Sequence, residues 1–344
     1  MKQHKILVTG GLGFIGSHTV VELQMAGFDV VIIDDLSNSQ AFILNRIQQI
    51  TGILPRFYAI NMLYNESMDE LFQKEKNISA VIHFAAFKAV GESVSEPIKY
   101  FKNNLCSLIN LLHCMEIHQV QNLVFSSSAT VYGEPDELPI SETSPLKKAI
   151  SAYGSTKQMG EEILEKTTSA KNISAIALRY FNPVGAHPSS LIGELPNGIP
   201  NNLMPYITQT AAGLRKQLIV YGNDYNTPDG TCIRDYIHVV DLAKAHVKSC
   251  ERLINKMAKN KFEVYNIGTG KGYSVLDIIK AFEEYNHIKL NYTIGPRRNG
   301  DAAVMYASVI NATKHLNWEA KMGLKEMVTS AWQWQQQITE ITHK

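Results

Sequence analysis

Features that mark several classes of protein are scarce or absent in this sequence. Its 33 lysines and arginines nearly balance its 32 aspartates and glutamates, so no basic excess indicates a nucleic-acid partner. No run of about 18 apolar residues occurs, so we expect no membrane-spanning helix. The four cysteines form no Cys-x-x-Cys pair and no His-Glu-x-x-His motif occurs, so we expect reduced thiols and no metal site. We expect no signal peptide, because Val8-Thr9-Gly10 follows the start too closely. Together these absences predict a soluble, cytoplasmic protein without a membrane partner.

A short apolar run, Lys5–Val8, leads into a glycine-rich turn and then into a helix that we predict from about Ser17 to Met25. Gly10, Gly13 and Gly16 fall three residues apart in this turn. In dinucleotide-binding proteins the first glycine of such a series allows a tight turn, the second lets the backbone approach a pyrophosphate, and the third lets the helix pack against the strand. The free N–H groups of the helix then face the phosphates. The alternative is a glycine-rich turn without function, which the order of strand, turn and helix disfavours.

Asp34 ends the second predicted strand, a little over twenty residues beyond the glycines. A carboxylate at this place accepts hydrogen bonds from the ribose hydroxyls of NAD and repels the 2′-phosphate of NADP. Asp35 follows, so no arginine stands where a 2′-phosphate would be bound. The pattern predicts NAD as the cofactor, whereas the alternative is an acidic residue that is merely solvated or caps the next turn.

Apolar strands alternate with helical segments as far as about residue 180, which is typical of a doubly wound parallel sheet with right-handed crossovers. From Pro183 to Pro205, glycine, proline and asparagine cluster, which indicates irregular loops rather than further strand–helix repeats. We therefore predict an α/β fold with a Rossmann-type parallel sheet and a smaller, mostly irregular C-terminal substrate-binding lobe. The NAD-binding domain would comprise residues 1–180 with return segments at about 235–268, and the lobe residues 181–234 and 269–344.

Tyr153 and Lys157 stand four residues apart, so in a helix both side chains lie on one face, one turn apart. An ammonium beside a phenol stabilises the phenolate, so we expect the pKa of Tyr153 to fall towards working pH. Such a tyrosine can exchange a proton with a sugar or alcohol hydroxyl. Ser128 ends the preceding apolar strand and could hydrogen-bond the same oxygen. Tyr285 and Lys289 repeat the spacing without the strand-end serines, so the context rather than the spacing indicates a catalytic pair.

These residues and several longer stretches together resemble the UDP-glucose 4-epimerase family, in the extended short-chain dehydrogenase/reductase superfamily. The resemblance covers nearly the full length, and its most specific stretches are Ser126–Gly133, Arg179–Pro188, Asn201–Ile207, Gly222–Tyr225 and Arg234–His238. It implies reversible inversion at C4 of UDP-galactose and UDP-glucose through a transient 4-keto sugar, with tightly bound NAD. It also implies a homodimer formed through the predicted helices Pro97–His118 and Tyr153–Lys166.

The resemblance also implies residue roles. Catalysis would fall to Tyr153, Lys157 and Ser128. The NAD site would comprise Gly10, Gly11, Gly13, Phe14, Ile15, Gly16, Asp34, Asn38, Ser39, Asn61, Met62, Phe84, Ala85, Ala86, Lys88, Asn103, Tyr153, Lys157 and Phe181. The UDP-sugar site would comprise Ser128, Tyr153, Asn182, Asn202, Leu203, Tyr221, Arg234, Arg298, Asp301 and Met305. Two arginines suit a pyrophosphate because each guanidinium can donate two parallel hydrogen bonds.

Two positions depart from the family pattern. Asn61 stands where the family usually has an aspartate near the adenine, and its carbonyl can still accept a hydrogen bond although the charge is missing. Met305 falls where family members differ in bulk beside the C2 substituent of the sugar. A tyrosine there resembles enzymes limited to glucose and galactose, and a small residue resembles enzymes that admit N-acetyl sugars. Methionine is flexible and intermediate, so the breadth of substrates stays open.

Three alternatives are considered. The first is a 4-epimerase that acts mainly or also on UDP-N-acetylglucosamine and UDP-N-acetylgalactosamine, or on UDP-glucuronate. The second is a nucleotide-sugar 4,6-dehydratase, which would carry an Asp-Glu pair after the strand-end threonine, where this chain has Val131 and Tyr132 after Thr130. The third is a non-catalytic NAD-binding sensor, which would lack the tyrosine–lysine pair.

Overall fold

The computed structural model of the protein describes residues 4–298 and 301–342. Its strands in chain order are β1 (Lys5–Thr9), β2 (Asp29–Asp34), β3 (Arg56–Ala59), β4 (Ile78–His83), β5 (Asn122–Ser126), β6 (Ser174–Tyr180), β7 (Asn182–Val184), β8 (Leu218–Tyr221), β9 (Ile233–Arg234), β10 (Tyr236–His238), β11 (Phe262–Ile267), β12 (Tyr273–Ser274), β13 (Tyr292–Gly295) and β14 (Val304–Met305). Its α-helices are α1 (Phe14–Met25), α2 (Ile43–Thr51), α3 (Asn65–Lys74), α4 (Val90–Ser95), α5 (Pro97–Ile117), α6 (Ala152–Ala170), α7 (Leu203–Ala211), α8 (Val239–Ile254), α9 (Val275–Asn286), α10 (Ile310–Leu316) and α11 (Leu324–Thr342), and a 3₁₀ helix spans Ala129–Tyr132.

Seven strands form one parallel sheet in the order β11-β6-β5-β4-β1-β2-β3. From β1 the chain moves outwards through β2 and β3 on one side, and then from β4 through β5, β6 and β11 on the other. The sequence-based prediction of a doubly wound parallel sheet is therefore confirmed. In such sheets ligands bind outside the carboxyl ends of the strands, next to the point where the strand order reverses.

Alternate strand residues face opposite sides of this sheet, and each side has its own core. On one side, residues such as Val8 and Ile32 pack against α1, α2 and α8. On the other side, residues such as Leu7 and Val81 pack against α3, α5 and α6. Because both faces are covered by helices, the strands read as continuous apolar runs in the sequence.

A third core lies in the segments that follow β6. In this lobe α7, α9 and α11 pack against β8, which pairs with β13, and Ile207 and Phe282 are fully buried. Leu316 and Trp318 leave the lobe and pack into the core beside α1 and α8. The domain boundaries drawn from the sequence stay a prediction.

Helix α1 begins at Phe14, three residues before the predicted start at Ser17. Gly13 is its N-cap and has extended backbone angles, and the N–H of Ser17 already donates to the carbonyl of Gly13 at 2.9 Å. The predicted start was wrong because glycine lowers helix propensity, whereas close packing of this segment imposes the helix. The first helical turn therefore lies within the glycine series itself.

Within the described residues, no helix combines the length and the apolar character needed to cross a membrane. In that same part of the chain, no three or more histidine, cysteine, aspartate or glutamate side chains are grouped so that they could hold a metal ion. All four cysteines are free thiols, of which Cys106 alone is exposed.

Candidate active site

A cleft opens at the carboxyl edge of the sheet, where the glycine turn meets the ends of β2 and β4 and the start of α6. The residues of the implied NAD site that line it are Gly10, Gly13, Phe14, Ile15, Gly16, Asp34, Asn38, Ser39, Asn61, Met62, Phe84, Ala85, Ala86, Lys88, Asn103, Tyr153 and Lys157. Gly11 instead lies against Ile32 behind the turn, where a Cβ would approach the Ile32 side chain to 2.7 Å. Phe181 packs in an adjoining apolar cluster.

The glycine turn is held too close to its surroundings to admit side chains. Gly10 has a φ of +66°, and a Cβ on it would lie 2.8 Å from the backbone nitrogen of Ala85. A Cβ on Gly16 would lie 2.2 Å from the carbonyl oxygen of Gly10. The N-cap of α1 is Gly13, which has no side chain to accept hydrogen bonds from the first N–H groups of the helix. Bare backbone and a helix amino terminus together form a cradle for phosphate.

The Asp34 carboxylate is fixed at the end of β2 by three hydrogen bonds. Its Oδ2 accepts from the N–H of Leu12 at 3.0 Å, and its Oδ1 accepts from the N–H of Leu36 at 3.0 Å and from Ser39 Oγ at 2.7 Å. Because a carboxylate has about four acceptor positions, capacity remains for a further donor such as a ribose hydroxyl.

The predicted catalytic residues converge at the start of α6. Ser151 caps this helix by accepting from the N–H of Gly154 at 3.1 Å, and Tyr153 and Lys157 follow on its buried face. Lys157 Nζ donates to the carbonyl of Ser126 at 2.6 Å and lies 5.7 Å from the centroid of the Tyr153 ring. Ser128 interacts with the phenol and also caps the 3₁₀ helix, so strand end, tyrosine and lysine form one group.

The pKa of Tyr153 departs from the sequence-based expectation. Burial raises it well above the ordinary value, the charges of Tyr180 and Tyr100 raise it further, and only the hydrogen bond with Ser128 lowers it. The predicted fall in the pKa of Tyr153 was wrong, because Lys157 Nζ is directed at a backbone carbonyl and burial penalises the phenolate. Burial also lowers the pKa of Lys157 to about 8, and the charge of Glu161 opposes this shift.

A second polar group gathers in the lobe. Arg298 donates from Nε and Nη2 to the two carboxylate oxygens of Asp301, each at 3.0 Å. Arg234 Nη2 lies 3.6 Å from Asp301 Oδ1, and the Arg298 guanidinium lies 5.6 Å from the centroid of the Tyr221 ring. Two guanidinium groups share one carboxylate, so the group has an excess of positive charge suited to an anionic diphosphate.

Comparison with known proteins identifies the family. The family model described as the NAD dependent epimerase/dehydratase family matches residues 6–268. The chain belongs to this family. It is 53% identical over 331 residues to UDP-glucose 4-epimerase of Bacillus subtilis (strain 168), covering 96% of each chain, and 50% identical to that of Drosophila melanogaster over 339 residues, again covering 96% of each.

Solved structures of similar proteins agree with this assignment. UDP-glucose-4-epimerase from Stenotrophomonas maltophila, with bound NAD and formylated UDP-arabinopyranose, superposes with a TM-score of 0.95 at 46% identity, covering 98% of this chain and 100% of that one. UDP-glucose 4-epimerase from Bifidobacterium longum, in complex with NAD+ and UDP, gives a TM-score of 0.92 at 48% identity, covering 97% and 98%. The resemblance seen in the sequence is confirmed.

The cofactor of this epimerase/dehydratase chain is NAD, and the cleft fits it. The glycine turn and the start of α1 would hold the pyrophosphate, Asp34 would hold the adenosine ribose, and Tyr153 and Lys157 line the same cleft. At Asn61 the side-chain carbonyl already accepts from the N–H of Leu63 at 3.0 Å, so part of its acceptor capacity serves the local turn.

The remaining substrate residues implied by the family lie at the borders of the lobe. Asn182 begins β7 and is exposed, and Leu203 begins α7 and packs against the lobe core. Met305 pairs with Arg234 in the register of β14 and β9. It also packs against the apolar cluster that contains Phe181. The structure thus brings Met305, Arg234 and Phe181 into one region, while their roles stay predictions.

Glu194 is a cleft residue that the sequence did not reveal. Its Oε1 accepts from Lys88 Nζ at 2.9 Å and from Asn202 Nδ2 at 2.8 Å, so it links an implied NAD residue to an implied substrate residue. Trp334 fixes its backbone by donating to its carbonyl at 2.9 Å. Glu194 lies in the irregular segment after β7, where no periodic pattern indicates which side chains point inwards.

Proposed function

We propose that this protein is a UDP-glucose 4-epimerase that interconverts UDP-galactose and UDP-glucose with bound NAD. The observation that carries the proposal is the position of Tyr153 and Lys157 in the wall of the same cleft as the glycine turn and Asp34. A base in the wall of a dinucleotide cleft can act on a hydroxyl whose carbon faces the cofactor. The similarity to named 4-epimerases over 96% of the chain supports the same reaction.

We infer the following residue roles for this reaction. Bound NAD supplies reversible oxidation and reduction at C4. Tyr153 removes the proton from the C4 hydroxyl as the carbon becomes a ketone, and it returns a proton to the oxygen after the sugar has turned over. Lys157 favours the phenolate by its charge, and Ser128 hydrogen-bonds the phenol or the sugar oxygen. Since burial disfavours the Tyr153 anion, this positive charge is needed beside it.

The sugar must turn while the nucleotide stays in place, so binding energy belongs on the UDP. Arg234 and Arg298 would donate to the diphosphate, with Asp301 holding both guanidinium groups in position. The hexose would then have few fixed contacts with the protein and could turn to present its opposite face to the cofactor.

A 4-epimerase that also accepts UDP-N-acetyl sugars is a second candidate. Its support is Met305, which is only partly buried beside the implied sugar position and has a flexible, unbranched side chain. Such a side chain could move aside for an N-acetyl group, whereas a rigid aromatic ring could not.

The proposed enzyme is a homodimer. Helices α5 and α6 pack against each other, yet their outward side chains include Ile98 at 80%, Ile109 at 50% and Met159 at 43% exposure. Large apolar side chains on adjacent helices favour a self-associating face. The molecular mass in solution, measured by light scattering, tests this: a monomeric mass at micromolar concentration would contradict it.

The activity is tested by incubating the purified protein separately with UDP-galactose and UDP-N-acetylgalactosamine and assaying both C4 epimers. Tyr153→Phe should keep its bound NAD and lose turnover by roughly 100-fold or more. Tyr285→Phe is the matched control, since Tyr285 has the same spacing to a lysine but is 40% exposed at the end of α9. Bound NAD without turnover of any UDP-sugar would favour the sensor, and full activity of Tyr153→Phe would refute the assigned base.

A further inference from the structure

The buried face of α6 continues one turn beyond Lys157 to Glu161, which is 4% exposed. Glu161 Oε1 accepts from Ser127 Oγ at 2.5 Å. Both of its carboxylate oxygens accept from Arg179 on β6, with Nε 3.0 Å from Oε1 and Nη2 2.6 Å from Oε2. Glu161 therefore joins the helix that carries the tyrosine and lysine to the strand end that carries the serines.

The same network reaches the far side of Ser128. Arg179 Nη1 donates to the hydroxyl of Tyr132 at 3.0 Å, and that hydroxyl donates to Asn266 Oδ1 on β11 at 2.6 Å. Tyr132 ends the 3₁₀ helix that Ser128 begins. The segment containing Ser128 is thus tied at Ser127 before it and at Tyr132 after it.

We propose that Glu161 is a positioning residue for the epimerisation proposed above. It fixes the Ser128 segment relative to Tyr153 and supplies negative charge one helical turn from the Lys157 ammonium. Glu161 does not line the cleft, and its side chain accepts hydrogen bonds from Ser127 and Arg179. Its effect on the reaction passes through Ser127 and Lys157.

The charges around Lys157 make this effect measurable. Burial lowers the pKa of Lys157 to about 8, and the charge of Glu161 is the opposing influence. His83 on β4 also faces Lys157 but is neutral, since burial lowers its pKa to about 3. Tyr180 on β6 and Tyr100 on α5 act on the neighbouring Tyr153, and burial raises the pKa of each of these two tyrosines.

Glu161→Gln removes the negative charge and leaves Arg179 uncompensated, and both changes lower the pKa of Lys157. We expect kcat to fall about tenfold while KM for UDP-galactose stays within about twofold, because the implied diphosphate contacts of Arg234 and Arg298 are not altered. The high-pH limb of the pH profile of kcat should shift to lower pH by roughly one unit.

Glu263→Gln is a matched control. Glu263 forms a similarly buried pair with Arg252, with Arg252 Nε 2.6 Å from Oε2, and it also accepts from the hydroxyl of Tyr265 at 2.9 Å. None of these residues lines the cleft. Both variants should lose thermal stability, but only Glu161→Gln should change kcat and the pH profile. A Glu161→Gln enzyme with the kcat and pH limb of the Glu263→Gln enzyme would overturn the proposal.

If Glu161→Gln does not fold, the Ser127→Ala variant tests the positioning role of Glu161. It removes the hydrogen bond between the strand end and Glu161 but keeps the ion pair, so kcat should fall several-fold while the pH limb stays in place. Ser249→Ala controls for the loss of a buried hydroxyl, because Ser249 Oγ donates to the Ala245 carbonyl within α8, away from the cleft. Wild-type kcat in Ser127→Ala would refute the positioning role.

Discussion

Replacing Gly16 by alanine should separate α1 from the glycine turn. The new Cβ would lie 2.2 Å from the carbonyl oxygen of Gly10 and 2.9 Å from the Cα of Gly11. Both neighbours are backbone atoms, so no side chain can rotate away to relieve the overlap. A carbon and a carbonyl oxygen need at least about 3.2 Å in a packed interior, so the turn and the helix must move apart by roughly 1 Å.

The substitution should lower both the stability of the fold and the affinity for NAD. Overpacking of this kind costs about 1–3 kcal/mol, and for 344 residues an unfolding entropy of about 2.1 cal/mol/K per residue converts 3 kcal/mol to roughly 4 °C in Tm. A 1 Å shift also spoils backbone hydrogen bonds to an anionic phosphate, each worth about 1.5–3 kcal/mol, which weakens NAD binding by roughly 10- to 150-fold.

Gly91→Ala provides the control for the Gly16→Ala measurement. Gly91 lies in α4, and within the described part of the chain no atom outside its own helix and its chain neighbours comes within 4 Å of the position that a Cβ would take. Alanine there should therefore be neutral or stabilising by up to about 1 kcal/mol. The assays are Tm at saturating NAD and the NAD released per chain on denaturation. Equal Tm and equal NAD content for Gly16→Ala and the unaltered protein would refute the steric reasoning.

Three further outcomes are expected. Burial lowers the folded-state pKa of four histidines to about 3 to 4, namely His18, His83, His238 and His246. Only the unfolded chain takes up these protons as the pH drops below 6.5, so the unfolding free energy should fall by about 1.4 kcal/mol per pH unit for each of them. A urea-unfolding series that stays flat from pH 6.5 to 4.5 would contradict this. Met305→Tyr should reduce kcat/KM for UDP-N-acetylgalactosamine more than for UDP-galactose, and equal losses would exclude a gating role. Asp34→Ser should weaken NAD retention at least about tenfold, measured by equilibrium dialysis, since charged hydrogen bonds to ribose are lost; unchanged retention would refute the ribose assignment.

The implied NAD site could be predicted from short stretches because each of these parts lies at the end of a strand. The glycine series and the 84–88 segment follow β1 and β4, Asp34 is the last residue of β2, and parallel strands bring their carboxyl ends to one edge. Their positions are then set by local backbone geometry and by the alternation of strands and helices, both of which the sequence displays. The family resemblance extended this list to the substrate residues, which no local pattern indicated.

Such local patterns did not predict the start of α1 or the contacts of Glu194. Propensity places glycines outside helices, but packing of Gly16 against Gly10 requires the helix to begin inside the series. Glu194 reaches Lys88 only because an irregular loop returns across the cleft. The path of a loop depends on contacts with residues distant in sequence, and the spacing of residue types does not indicate those contacts.

The amino-acid sequence by itself determined the parallel sheet, the choice of NAD and the pairing of Tyr153 with Lys157, because periodicity and spacing act within one element or between neighbouring ones. Only the tertiary structure decided the protonation of that pair. Burial sets their pKa values, and burial depends on every segment that packs around them, including β4, β6 and α5. The Glu161 network arises in the same way, from strand ends and a helix that are adjacent in space and far apart along the chain.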